Sequence, residues 1–183
     1  MADGHVYHFS QDPTIREFAP HVAPTSDRTQ PYVWAIDAEH SPSYWFPRDC
    51  PRVTFWATAP TAPGERPALL GGSERVHAVE WEWLGRITDA VLHRYVFDAT
   101  EFRPQDETAG YHIAERPVRP LRVEPVGDLL AAHRWAGIEL RLVPTLWPLA
   151  DAVPAAGVEF SMIRLRNAAP RPVWSDRGAS RTI

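Results

Sequence analysis

Two stretches of this 183-residue chain carry side chains that could do chemistry, and both fall in its first third. The first is Tyr7-His8-Phe9-Ser10. On an extended strand side chains alternate, so Val6, His8 and Ser10 share one face while Tyr7 and Phe9 share the other. His8 and Ser10 would then project together toward a polar ligand. The competing reading is a buried imidazole satisfied by a backbone carbonyl. The second stretch is residues 33–53, where Trp34, Tyr44, Trp45 and Phe46 sit among Asp37, Glu39, His40, Arg48, Asp49 and Arg52. Aromatic faces stack on planar heterocycles, and a guanidinium forks onto phosphate. Aromatic residues at this density mostly form core; Trp34 and Tyr44 are the two assigned to a ligand. Arg48 and Arg52 are candidates for its phosphates, or else surface ion-pair partners of Asp49 or Glu39.

Other chemistries have less behind them. His5, His8, His40, Asp37 and Cys50 together offer enough nitrogen, oxygen and sulfur ligands for a metal-dependent hydrolase. The His5–His8 spacing argues against it, because strand positions three apart face opposite ways and a two-histidine zinc pair usually has helical i, i+4 spacing. No metal ligand is therefore assigned. Cys50 lies in FPRDCPRV with no helix start to activate a thiolate, and a free cysteine is more often inert packing. All nineteen basic residues are arginine, which excludes Schiff-base catalysis, a P-loop lysine and a lysine base.

Composition sets the class. The length suits one domain that buries roughly 70% of its unfolded surface without disulfides or structural metal. A formal charge of -4 offers no footprint for nucleic acid. No apolar run approaches the roughly 20 residues of a membrane span, and MADGHVYHFSQD does not read as a signal peptide. A single cysteine rules out an internal disulfide. The expectation is a cytoplasmic protein with a small-molecule partner, no nucleic-acid partner and no membrane association.

The elements that must position these residues are short. Nineteen prolines break the chain, which argues against a helical bundle. Strands are expected at 5–9, 32–36, 52–57, 75–79, 91–97, 110–114, 121–124, 138–143 and 160–165. Short helical segments are expected at 41–46, 80–87 and 145–153. The clearest helix is DLLAAHRWAG, with Asp128 as N-cap, Gly137 as C-terminal stop, and its Leu and Trp135 side chains packing into the core. Residues 59–73 read as a long exposed loop, and those from Asn167 onward as a frayed tail. His21, His77, His93 and His133 are expected to be solvated or capped, whereas His112 follows Glu107 on a strand that could face the cleft. The fold class is α+β, a short-stranded split sheet or sandwich with a few peripheral helices. Residues 1–166 form one domain and 167–183 an Arg/Pro/Ser-rich tail.

The YHFS, WAID and FPRDCPRV segments resemble an uncharacterised family of bacterial single-domain proteins. The order of elements also resembles the ADP-ribosyltransferase-like fold, especially its rifamycin-modifying members. Tyr7-His8-Phe9-Ser10 matches that family's first-strand motif and Val33-Trp34-Ala35-Ile36 its second. The resemblance implies NAD as substrate, with His8 on the adenosine ribose, Ser10 supporting it, and Trp34 in place of the nicotinamide-stacking tyrosine. Ile36 replaces a threonine. A carboxylate near a later strand would stabilise the ribose cation; Glu107 is the candidate catalytic residue beside His8, with Asp106 and Glu115 as neighbours, while the literal family position falls on Gly110. Three readings stay open. One is an NAD- or ADP-ribose-binding transferase or glycohydrolase whose acceptor the sequence does not indicate. Another is a non-catalytic nucleotide-binding module, with DETAG and residues 160–167 lining its pocket. The third is the metal-dependent hydrolase.

Overall fold

The computed structural model describes residues 4–22, 30–58, 67–106 and 108–172. The architecture is mixed α+β, with two sheets and three short helices. The larger sheet contains β1 (His5–Ser10), β2 (Val33–Ile36), β5 (His93–Asp98), β6 (Arg103–Asp106), β7 (Tyr111–Ala114) and β8 (Arg122–Pro125) in the order β6-β7-β2-β1-β5-β8. Every pairing in it is antiparallel. The smaller sheet holds β3 (Arg52–Trp56), β4 (Arg75–Glu80), β9 (Glu139–Val143) and β10 (Glu159–Ile163) in the order β10-β3-β4-β9, and β4 and β9 run parallel. The helices are α1 (Leu84–Asp89), α2 (Leu129–Trp135) and α3 (Trp147–Ala152).

Local chemistry explains most of these elements. In α2, Asp128 accepts a hydrogen bond from the Ala131 amide at 2.9 Å, and Gly137 at φ +68° ends the helix in a conformation that a Cβ disfavours. The segment 41–44 is a single turn of 3-10 helix rather than the longer helix expected, since Pro42 and Pro47 leave little room to propagate hydrogen bonds. β6 had no signal: Arg-Pro-Gln-Asp is mostly exposed and does not alternate. Within the region read as a loop, residues 59–66 lie outside the described residues, but Leu70 is fully buried against Val53, Phe55, Val76 and Leu146. Burying that side chain contributes about 2 kcal/mol. Trp135, expected in the core, is 83% exposed.

The sheets join through aromatic residues. Phe9 packs against the cluster of Tyr7, Ile36 and Val96 and also against the one that holds Phe46, Val79, Leu92 and Leu129, and its ring stacks near Tyr44, so the segment carrying Tyr44 and Phe46 lies between the layers. The first residues of the supposed tail are tied down. Asn167 Nδ2 donates to the Asp49 carbonyl at 2.8 Å, and the Ala169 amide donates to the buried Glu80 carboxylate at 2.9 Å. Glu80 also accepts from the Leu146 amide at 3.1 Å, so two backbone donors satisfy it in place of a cation.

One irregularity positions the site. β1 pairs with β5 over six residues and β2 pairs with β7 over four, yet β1 and β2 meet only at Tyr7–Ile36. Beyond that point the ladder opens.

Candidate functional site

A cleft of about 750 Å³ occupies the opening. Its walls include the unbroken runs Tyr7–Ser10 of β1, with Gln11 just after it, and Val33–Ile36 of β2. Because strand side chains alternate between faces, unbroken lining means that the cleft runs along the strand edges and not over one face of the sheet. Ile15, Glu17, Phe18, Ala19 and His21 also line it, as do Tyr44, Phe46, Arg52, Tyr111 and residues 162–166.

His8 holds the opening. Its Nδ1–H donates to the Trp34 carbonyl at 3.0 Å, where the next rung of the ladder would have fallen. Burial lowers its pKa despite that carbonyl, so the ring is neutral near pH 7 and Nε2 keeps a lone pair. The His8 ring packs on Phe18 at 4.9 Å. Trp34 stands 5.9 Å from the Tyr111 ring. The Tyr7–Ile36 register puts these two side chains on opposite faces of the sheet. Projection of both rings to one side, implied by neighbouring strands, is therefore not what occurs. Both nevertheless line the cleft.

Tyr44 and Tyr111 share a hydroxyl–hydroxyl hydrogen bond of 3.0 Å, and burial first, then Tyr111, raises the Tyr44 pKa well above 10. Two hydroxyl protons serve one mutual bond, so one proton is left over. Arg52 is 3% exposed; Nε donates to the Ser43 carbonyl at 2.7 Å and Nη1 to the Cys50 carbonyl at 2.8 Å. Its guanidinium lies 5.4 Å from the Tyr44 ring centre and 5.1 Å from that of Phe46. Burial works against its charge, while the two aromatic faces favour it. Arg48 is exposed at the rim, where its amide donates to Gln11. Neither arginine makes the ion pair with Asp49 or Glu39 that the sequence allowed. Ser10 also lines the cleft, with its Oγ accepting from the Asp12 amide at 3.1 Å.

The acidic candidates are not gathered there. Glu107 lies outside the described residues. Asp106 caps the Ala109 amide and Glu115 pairs with Arg103, both away from the cleft lining. Glu17 is the one carboxylate on the lining among the described residues, exposed and paired with Arg119 at 3.0 Å. Gly110 has a packing role instead: at φ +72°, a Cβ there would fall 2.3 Å from His40 Nδ1. That nitrogen is 2.8 Å from Asp37, and although burial opposes it, the His40 contacts hold the Asp37 carboxyl below its ordinary pKa.

A family model matches residues 7–168. The chain belongs to DUF6886, a family of unknown function. No curated protein and no solved structure matches it. The ADP-ribosyltransferase-like resemblance thus gains no relative from these comparisons.

Two further observations narrow the chemistry of the DUF6886 protein. Among the described residues no three or more of His, Cys, Asp and Glu are grouped so as to hold a metal ion, so the ligand set of the hydrolase reading is not brought together. Cys50 is fully buried, and burial pushes its thiol up to about 12, which removes it as a nucleophile near neutrality. No described helix is long and apolar enough to cross a membrane. Among residues that motif reading left without a role, Arg164 stands out. It lines the cleft just after β10 and is the one non-glycine described residue with positive φ, +58°. That backbone costs an L-residue about 1–2 kcal/mol. Nothing in FSMIRLRN signals it, because neither glycine nor asparagine marks the position.

Proposed function

We propose that this DUF6886 protein binds a nucleotide of the NAD or ADP-ribose class in the opening between β1 and β2. The observation that carries the reading is the convergence of a neutral histidine acceptor, tyrosine hydroxyls, aromatic walls and arginines in one cleft. The lone pair at His8 Nε2 suits a ribose hydroxyl. Trp34 offers an aromatic face to a heterocycle, Tyr44, whose ring already meets Arg52 and Phe9, offers its hydroxyl, and Arg48 and Arg52 offer charge to phosphate. A cleft of about 750 Å³ is within the size range of cofactor sites. The likeness of Tyr7–Ser10 and Val33–Ile36 to ADP-ribosyltransferase-like motifs points the same way. Since His8 and Trp34 approach from opposite faces, an extended ligand that threads the opening fits better than one ring clasped by both.

Cleavage of an N-glycosidic bond builds positive charge on the ribose, which a carboxylate should face. Glu17 pairs with Arg119 at the surface and Glu107 lies outside the described residues, so the assay, and not the lining, separates binding from turnover. The test is thermal unfolding and calorimetric titration with NAD and ADP-ribose, alongside an assay for free nicotinamide. A ligand at a hundred times its Kd should add about 2.7 kcal/mol of stability. His8→Ala and Trp34→Ala should reduce that gain. No response to either nucleotide at millimolar concentration would overturn the proposal. Nicotinamide release abolished by His8→Ala would make the protein a glycohydrolase or transferase.

A further inference from the structure

Arg52 is a buried cation that no described carboxylate balances. Two of its nitrogens are occupied by the Ser43 and Cys50 carbonyls, and its faces lie against Tyr44 and Phe46. These contacts orient the guanidinium without neutralising it. Arg164 lines the same cleft, half-buried, and makes no ion pair with a described residue. It stands close enough to oppose the charge on Arg52 and to act on the Tyr44 phenol. Folding thus brings two like charges to one wall and holds the second in a backbone conformation that suits glycine better. The spare hydroxyl proton of the Tyr44–Tyr111 pair is beside them. Glu17, the one carboxylate on the lining among the described residues, is paired with Arg119. Like charges assembled without a counter-ion, with a hydroxyl donor alongside, match the needs of a multiply charged oxyanion.

We infer that Arg52 and Arg164, with the Tyr44–Tyr111 hydroxyls, form the seat of a phosphate or pyrophosphate group. This deepens the nucleotide reading by assigning its anionic part, and the seat can be tested apart from the base and ribose. The measurement is calorimetric titration of the full chain with ADP, inorganic pyrophosphate and adenosine. Arg164→Gly and Arg164→Asn both remove the charge and tolerate positive φ, so each should melt no lower than wild type. Each should bind ADP and pyrophosphate at least about tenfold more weakly, the scale of one charge-assisted hydrogen bond. Adenosine affinity should not change. Arg164→Lys should recover part of the loss, and Arg116→Ala, outside the cleft and paired with Glu101, should behave as wild type.

Undiminished ADP and pyrophosphate binding by Arg164→Gly would overturn the seat, even if nucleotide binding survives. Equal losses for adenosine and ADP would overturn it as well, because the effect would then not be on the anion. Pyrophosphate binding that depends on Arg164, without any gain from the nucleoside, would keep the seat and remove the nucleotide. No binding of either anion would end both proposals.

Discussion

His8 and His77 make similar bonds and lead different lives. Each sits on a strand, has Nδ1 engaged, and leaves Nε2 without a hydrogen-bonding partner. His8 Nδ1 meets the Trp34 carbonyl in an opened ladder, and its ring borders the cleft. His77 Nδ1 meets His133 Nε2 at 3.0 Å, and His133 Nδ1 donates to the Leu129 carbonyl at 2.7 Å. That second bond fixes the tautomers: His77 donates to His133, and the His77 Nε2 lone pair is sealed inside the core. The two buried rings connect β4 to α2 and pack on Phe46. Both were expected to be solvated or capped. The difference teaches that an imidazole's role is set by where its idle nitrogen points: into a cleft it can serve a ligand, into apolar packing it can only cost stability when protonated.

The largest separation should come from truncation. His133→Ala removes a core ring and strands the His77 N–H, which together should cost about 3 kcal/mol in urea unfolding. His8→Ala, at a half-buried site, should cost about 1 kcal/mol or less. Equal costs would break the contrast. Acid should come next. Burial lowers the pKa of His77 well below 6.5 and that of His133 less far. A depressed folded pKa means that the unfolded chain binds protons first, so this stability is fully present above pH 6.5 and is lost as pH falls toward the folded values. The loss should be about 1.4 kcal/mol per pH unit for the first proton taken up by the pair. Unfolding midpoints between pH 6.5 and 5, above the carboxylate range, would show it. The double substitution His77→Leu with His133→Leu should flatten the slope, since removing both partners together leaves no orphaned donor. In the cleft, His8→Ala should weaken ADP-ribose binding about tenfold, or about 1.4 kcal/mol. The same loss should appear in wild type as His8 protonates in acid, because Nε2–H can no longer accept from a hydroxyl. Histidine variants of the sealed pair that stay folded should bind as wild type does.

What could be read in the chain follows from the range of the interactions. Asp128 and Gly137 bracket α2 because caps act within a few residues. The runs HVYHF and RVTFWA located β1 and β3, although β3 is buried at every position and does not alternate, and residue type alone drew attention to His8, Tyr44 and Arg52. The opening between β1 and β2 was not legible, since it depends on β2 following β7 and leaving β1, a contest among three distant strands. The His77–His133 pair spans 56 positions and two element types, which no local pattern records. Leu70 sits beside a run of prolines and glycines that resembles a loop, yet is buried. Arg164 illustrates the limit most clearly: its unusual backbone is imposed where β10 turns into the cleft, not by its own side chain.

Glu80 gives the far end of the chain a stake in the cleft. Its carboxylate grips the amides of Leu146 and Ala169, while the Trp147 indole donates to the Ala169 carbonyl at 2.7 Å. The stretch that presents Arg164 is therefore clamped five residues downstream to the interior of the smaller sheet. Shortening the protein after residue 166 would strip one of two donors from a buried anion and unmoor the arginine-bearing wall, so the turn at Leu165–Asn167 belongs to the pocket as much as to the scaffold.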